Sequence, residues 1–496
     1  MACDIVYLYK KPQNMSELLN LEPGTLWKYF SDVLSIPRPS DHEKQIRDFL
    51  IDFAVKRNLE YEADQAGNLI IRKPASKGKE NHPGVCLQSH LDMVCEKNAG
   101  TEFNFLTDPI QAYIDGDWIK AKGTTLGGDD GIGIAAQMAV LDASGLAHGP
   151  IECLFTVAEE TGLNGALGLR TGFIKSKTLI NLDSEDEGEL FIGCAGGMDL
   201  TAWFDFLKEF VPDNYVAMKI GVKGLIGGHS GDDIHKGLGN AVKILNRFLW
   251  EFSDDFEIRI HDFDGGNLRN AIAREAEAII TLPEFKKQDL IQAFLLYRSE
   301  VKLELIRTEP DLELYFSDCQ VPEWVIDEDC QCNLLNALYA CPHGVLSWSQ
   351  TIPGLVETST NLAAVKSDRD RIKVTTNQRS SIESSKKNMT NMVESVFLLA
   401  GAYTERSTGY PGWNPNPDSR VLQITEKAYE DLFSQKPLVK AIHAGLECGL
   451  FLEKYPAMDM ISFGPTIKGV HSPDERLNIS STLKFWKLLI EILKRI

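Results

Sequence analysis

Residues 85–92 read VCLQSHLD, a short apolar run that stops at an imidazole, His90, and a carboxylate, Asp92. Such a run predicts a strand, and the carboxyl end of a strand is where open α/β sheets place their sites. At this spacing Asp92, through its backbone neighbourhood, can take the second ring N–H of His90 and leave the other nitrogen facing a metal. Taken alone, the same residues are also what an ordinary strand end looks like.

Other segments repeat the pattern. Gly127-Gly128-Asp129-Asp130-Gly131-Ile132-Gly133 precedes the apolar-periodic helix IGIAAQMAVL. An N-cap offsetting the helix dipole explains one aspartate, whereas a ligand loop approaching a metal closely uses both carboxylates and the four glycines. The run IECLFTV ends in Ala158-Glu159-Glu160-Thr161-Gly162. Adjacent residues there point in different directions, so one glutamate can bind metal while its neighbour serves as general base, unless the pair simply decorates a surface loop. TLINL ends in Asp183-Ser184-Glu185, and MDMISFG is followed by PTIKGV and His471. Strands of this kind end on one edge of a parallel sheet, where clustered carboxylates repel one another unless cations are bound. Two histidines with several carboxylates suit zinc, cobalt or manganese better than calcium or magnesium.

Through residue 190 amphipathic helices alternate with apolar strands: a helix from ELLNL through SDVLSI, the helix EKQIRDFLIDFAVKR, the strand NLIIRK, and then the segments above. That order predicts an α/β domain with a largely parallel sheet. The pattern changes at GCAGG (193–197), and 198–411 reads as a separate α+β insert. In it, YVAMKIGVKG, AVKILNRFLWEF, EAEAIITL and KQDLIQAFLLYRSEV are loosely echoed by VLSWSQT, LAAVKS, IKVTTNQRS and the helix KNMTNMVESVFLLAGAYTE. Two α+β subdomains are therefore plausible. After the breaker-rich 410–415 the alternation returns, so 1–197 and 412–496 form one discontinuous domain, the tail rejoining the first sheet.

The 496 residues carry 71 acidic against 51 basic side chains, a formal charge of -20. That charge argues against nucleic acid or an anionic membrane as a partner. MACDIVYLYKKPQ lacks the apolar core of a signal peptide and no run is long enough to span a bilayer, so a cytoplasmic protein is expected. The ten cysteines are scattered and are expected to be reduced. Cys330-Gln-Cys332 reads as a plain loop or a metal pair without a second pair at zinc-ribbon spacing.

SHLDMVCEKN, TTLGGDDGIG, TVAEETGLNGA, INLDSEDEGELFIGCAGG, GLIGGHSGDDIHKGLGNA, GGNLRNAIAREA, HAGLECG and FGPTIKGVHSPDERL span nearly the whole chain. Together they resemble the M20 metallopeptidases, and within them the aminoacyl-histidine (Xaa-His, carnosinase-like) dipeptidases. The resemblance implies two divalent ions, zinc first and cobalt or manganese otherwise. His90 and Asp183 would complete one site, Glu160 and His471 the other, with Asp129 bridging both. Asp92 would orient His90, and Glu159 would be the base that deprotonates water. On the inserted lid, His229 of GGHSG would stabilise the oxyanion and Arg379 of NQRSS would bind the substrate's terminal carboxylate. As residues alone, these also read as a turn histidine and a surface arginine. His443, Gly445 and Glu447 would line the pocket. Gly128 and Asp130 stand where the family often has Ala and Asn.

The implied activity is hydrolysis of Xaa-His and related dipeptides, with a small peptide as partner and a homodimer possible. N-acyl-amino-acid amidohydrolases and aminotripeptidases share the fold and are the alternatives. A non-catalytic metal-binding scaffold is a third reading, opposed by Glu159 beside an intact ligand set.

Overall fold

The computed structural model describes residues 17–496. Two compact units emerge. One holds the chain up to Gly193 with Pro415–Ala441 and Leu450–Ile496; the other holds Cys194–Asn414 and Ile442–Gly449. The first limits lie a few residues from the 197 and 412 expected, whereas Ile442–Gly449, expected in the first domain with the rest of 412–496, falls in the second unit and is bonded to its first residues. Cys194 and Trp413 exchange two 2.9 Å backbone hydrogen bonds, and the Ala195 N–H reaches the Ile442 and Ala444 carbonyls at 3.0 Å.

The first unit is built on an eight-stranded sheet. Its spatial order is Glu60–Ala63, Leu69–Lys73, Ile151–Thr156, Val85–His90, Thr178–Asn181, Asp459–Ser462, Glu189–Cys194 and Leu438–Ile442. The four central strands, from Ile151–Thr156 to Asp459–Ser462, are parallel; those before them pair antiparallel. Val85–His90 and Ile151–Thr156 are buried at every position, as a parallel strand covered on both faces must be. A polar ladder crosses these strands. Ser462 Oγ donates to Asn181 Oδ1, Asn181 Nδ2 to Gln88 Oε1 at 2.6 Å, and Gln88 Nε2 to Thr156 Oγ1 at 3.2 Å. Buried, mutually satisfied groups of this kind fix register. Register is what matters here, since Gln88 and Asn181 each stand two residues before a candidate ligand, His90 and Asp183.

Helices Gly24–Leu34, Lys44–Lys56, Gly128–Asp142, Arg420–Phe433 and Ile479–Arg495 belong to this unit. The first was expected to be continuous from ELLNL. Instead a 3-10 turn at Leu18–Asn20 precedes a helix that begins after Pro23, because the residue before a proline is pushed out of helical conformation. A separate four-stranded sheet holds Ile467–Lys468, Arg476–Asn478, Trp118–Ala121 and Ala112–Asp115.

The second unit has a nine-stranded sheet. Its main path runs Glu313–Cys319, Tyr215–Lys223, Ala276–Pro283, Arg259–Gly265, Val356–Asp368, Arg371–Ser380, Gly196–Asp205 and Tyr403–Arg406, with Gly344–Trp348 paired to Val356–Asp368. Its two halves join at one register pair, Gly265 with Val365. Helix Ala241–Phe256 buries Val242, Leu245, Phe248 and Leu249 on one stripe, and Phe248 packs edge-on against Phe294 at 5.1 Å. Burying each such side chain stabilises the unit by about 1.5–3 kcal/mol. The helix expected to run through AGAYTE stops at Leu399, and Tyr403–Arg406 forms a strand instead. Gly401, at φ 77°, supplies the left-handed turn that ends it. Cys330 and Cys332 lie on helix Glu328–Ala340, not in a loop, one buried and one exposed. Among the described residues the cysteines are free thiols and no helix is long and apolar enough to cross a membrane.

Candidate metal centre

Three central strands deliver candidate ligands to one edge. His90 closes Val85–His90, Glu159 and Glu160 follow Ile151–Thr156, and Asp183 follows Thr178–Asn181. Asp129 enters at the start of helix Gly128–Asp142, where the Asp129–Asp130 peptide is cis. His471 does not sit at a strand end of this sheet. It lies on the hairpin between Ile467–Lys468 and Arg476–Asn478 of the small sheet, in the left-handed conformation at φ 60°. A non-glycine residue rarely adopts that conformation except where its surroundings impose it.

Asp129 stands between two imidazoles. His90 Nε2 is 3.0 Å from Asp129 Oδ1 and 3.4 Å from Asp183 Oδ1. His471 Nε2 is 3.3 Å from Asp129 Oδ2 and 3.0 Å from Glu160 Oε2. Each oxygen of Asp129 thus faces a different histidine. Three overlapping groups, His90/Asp129/Asp183, His90/Glu159/Glu160 and Asp129/Glu160/His471, bring their donor atoms within 4.8 Å of one another.

The charges are out of balance. Burial, with the nearby charges of Asp129 and Asp183, pushes Glu185 up to about 8. Burial likewise lifts Asp183 to about 7 against the pull of His90. Burial and the Asp183 charge raise Asp130 well above the usual range. His471 is carried up to about 11 by its contacts with Asp129 and Glu160. The buried Glu160 Oε1 and Asp130 Oδ2 have no hydrogen-bond partner. Carboxylate-rich groups with two neutral imidazole donors fit divalent cations of the zinc, cobalt and manganese kind.

Asp92 does more than face His90. It is fully buried, and its Oδ1 accepts the Glu159 N–H at 3.0 Å while lying 3.4 Å from His90 Nδ1. Its Oδ2 accepts the Glu160 N–H at 3.2 Å and the Ser40 hydroxyl at 2.8 Å. Burial opposes its charge, yet the His90 contact and these donors hold it down at about 2. One carboxylate therefore fixes both the imidazole and the Glu159–Glu160 pair. The preceding residue, Ala158, is left-handed at φ 49°, and its N–H is held by Glu43 Oε1 at 2.9 Å.

Two further buried charges escaped the sequence analysis. Arg38 donates from Nη1 to the Leu91 carbonyl at 3.0 Å and to that of Asp92, and from Nη2 to that of Gly127. Glu475 accepts the N–H groups of Leu126 and Gly127 on Oε2, at 2.8 and 3.0 Å, and those of Gly128 and Asp129 on Oε1, at 2.7 and 3.3 Å. Glu475 lies within the quoted FGPTIKGVHSPDERL segment; nothing in the spacing around Arg38 marked it. They also correct the account of the four glycines. A Cβ on Gly127 or Gly131 would meet the Arg38 guanidinium at 2.7 Å, on Gly128 Glu475 Oε1 at 3.3 Å, and on Gly133 the Asp130 carboxylate at 2.3 Å. The glycines make room for these side chains.

The remaining expected residues lie in the second unit. Arg379 is buried, with Nε donating to Asn377 Oδ1 at 3.0 Å and Ser230 Oγ at 3.2 Å, and Nη1 to the Tyr410 hydroxyl at 3.0 Å. Its Nη2 lies 3.4 Å from His229 Nε2. None of these partners is a carboxylate. His229 Nδ1 is 3.2 Å from Asp232 Oδ2. His443 Nε2 shares a 2.7 Å hydrogen bond with Ser359 Oγ, and burial together with the Arg379 charge holds it down at about 3. The 442–449 segment packs tightly. A Cβ on Gly445 would meet the Tyr410 ring at 2.8 Å, and one on Gly231 the His443 carbonyl at 2.1 Å. Glu447 is fully buried at the start of helix Glu447–Lys454.

A model of peptidase family M20/M25/M40 matches residues 86–495. The chain is 45% identical to the cytosol non-specific dipeptidase of Escherichia coli (strain K12) over 482 residues, which cover 97% of this chain and 99% of that one. Its structure is similar to that of aminoacylhistidine dipeptidase from Vibrio alginolyticus, with a TM-score of 0.89, 44% identity, and coverage of 97% of this chain and 98% of that one. Aminopeptidase PepT from Bacillus cereus matches at TM-score 0.55 and 16% identity, covering 95% and 97%, a likeness of fold alone.

Proposed function

The chain belongs to peptidase family M20/M25/M40, and from that premise we propose that it is a metal-dependent dipeptidase hydrolysing Xaa-His and related dipeptides in the cytosol. The observation that carries this reading is Asp129, whose two oxygens each face a different histidine-carboxylate group. His90 and Asp183 would hold one cation and Glu160 and His471 the other, Asp129 serving both. When bound, the cations, zinc first and cobalt or manganese otherwise, supply Lewis acidity that lowers the pKa of water and polarises a carbonyl.

The chain's own residues do the rest. Glu159, its backbone gripped by Asp92, takes a proton from the attacking water and returns it to the leaving amine nitrogen as the C–N bond breaks. Asp92 holds His90 and the Glu159–Glu160 pair at fixed distances. Arg379 is a buried guanidinium whose hydrogen-bond partners are neutral, a setting that favours the carboxylate of a short peptide. His229, beside its Nη2, offers that peptide a second polar contact. His443, Gly445 and Glu447 shape the same part of the second unit.

The test is a substrate panel with Zn2+, Co2+ or Mn2+ added: Xaa-His dipeptides, other dipeptides, tripeptides and N-acetyl amino acids. Dipeptides should have the highest kcat/KM, Xaa-His foremost among them. Faster turnover of acylated amino acids than of every dipeptide would overturn the proposal in favour of an amidohydrolase.

A further inference from the structure

Resting on the two-cation reading above, we propose that Glu475 and Arg38 form a charged clamp of positioning residues. Glu475 sets the separation of His471 from Asp129, and Arg38 that of His90 from Asp129.

The geometry of Glu475 is unusual for a residue that only satisfies a helix start. Its two oxygens take four successive N–H groups, two each, from Leu126 to Asp129. Backbone N–H groups converging in this way form an anion-binding concavity that any acceptor, water included, could fill. Here the acceptor comes from the hairpin that carries His471, four residues upstream, and the turn between them is closed by the Glu475 N–H on the Ser472 carbonyl at 3.0 Å. Pulling Glu475 into the concavity therefore places His471 against Asp129. Arg38 takes the opposite side of the same loop. It binds the Gly127 carbonyl with one guanidinium nitrogen and the Leu91 and Asp92 carbonyls with another, so it ties the His90 loop to the Asp129 loop. Both side chains are nearly inaccessible to water, at 2% and 1% exposure, so neither is interchangeable with solvent.

A carboxylate is required at 475 because both of its oxygens accept. Glutamine keeps the size but turns an NH2 toward two N–H donors. Losing a partner that orients a ligand typically lowers metal affinity by roughly 10- to 100-fold. The clamp predicts that this loss falls on one group of ligands and spares the other.

The experiment titrates the metal-free full chain with Co2+ alone, followed by calorimetry and by the visible absorption of bound Co2+. His471→Ala identifies which binding event belongs to Asp129, Glu160 and His471. In Glu475→Gln that event should weaken by roughly 10- to 100-fold while the other keeps its affinity. Excess Co2+ should restore turnover, and the thermal midpoint of the metal-free variant should fall, because two buried N–H groups then face a donor. Arg38→Lys should show the converse, a weakened event at His90, Asp129 and Asp183, and it carries the test if Glu475→Gln does not fold. Unchanged Co2+ affinities in folded variants, or equal weakening of both events, would overturn the proposal. A wild-type chain that binds no Co2+ would overturn the two-cation reading itself.

Discussion

Replacing Asp92 by Asn removes a charge from a fully buried group and changes almost nothing in shape. Asp92 makes four contacts, with the Glu159 and Glu160 N–H groups, the Ser40 hydroxyl and His90 Nδ1. An amide offers one oxygen. Turned to keep His90 and Glu159, it presents NH2 to the Glu160 N–H, while Ser40 can reverse its hydroxyl to accept. One half-buried backbone N–H then faces a donor, at a cost of about 1–3 kcal/mol, and the surviving bonds lose their ionic strengthening, about 1 kcal/mol more. The opposite rotamer forfeits both Glu159 and His90 and is worse. D92N should therefore unfold in urea with about 3 kcal/mol less stability in the metal-free state. It should also lose roughly 10- to 100-fold in kcat, with KM little changed, because Glu159 and His90 lose their orientation. A variant that unfolds at the wild-type urea midpoint and turns over at the wild-type rate would refute the assignment of Asp92 as the residue that fixes the pair.

Glu159→Gln should lower kcat by roughly 10^2- to 10^4-fold while metal content measured by elemental analysis stays at the wild-type level; loss of metal would instead mark Glu159 as a ligand. Arg379→Met should raise KM for dipeptides with a free carboxyl terminus by roughly 10- to 100-fold. It should leave C-terminally amidated dipeptides, already poor substrates, unaffected, so an equal effect on both would remove Arg379 from carboxylate recognition. Burial, with the nearby Lys243 charge, holds His343 down at about 4 against an ordinary 6.5. Below 6.5 the unfolded chain takes up this proton first. The stabilisation is therefore complete above 6.5 and drains away as pH falls toward 4, by up to about 3 kcal/mol. Urea midpoints of the wild type should fall across that window, and those of His343→Gln should fall less steeply; parallel slopes would assign the acid sensitivity elsewhere.

The central strands were legible in the sequence because their apolar runs stop abruptly at chemistry-bearing residues, as Val85–His90 does at His90. The polar ladder through Gln88, Asn181 and Ser462 was not, since strand residues bond to partners distant in sequence. His471 stands out in the sequence as a candidate ligand, but its setting does not. Strands of two and three residues, Ile467–Lys468 and Arg476–Asn478, are too short to leave a periodicity. Arg38 was invisible for another reason. Its contacts are to carbonyls, which every residue has, so no side-chain pattern betrays them. The space freed by Gly127, Gly128 and Gly131 could not be read locally, because Arg38 and Glu475, which fill it, are far away in the sequence.

Strand Asp459–Ser462 lies between Thr178–Asn181 and Glu189–Cys194, and this bears on how the protein is made. A chain emerging from the ribosome exposes both neighbours well before the strand that joins them, leaving two unpaired edges within one sheet. Such edges are templates for pairing with other chains, and domains of this size pass through aggregation-prone intermediates. The delay is the same for the candidate ligands, since His471 follows the inserted strand by only a few residues. A chain truncated upstream of residue 459 would lack both the strand that closes this sheet and His471.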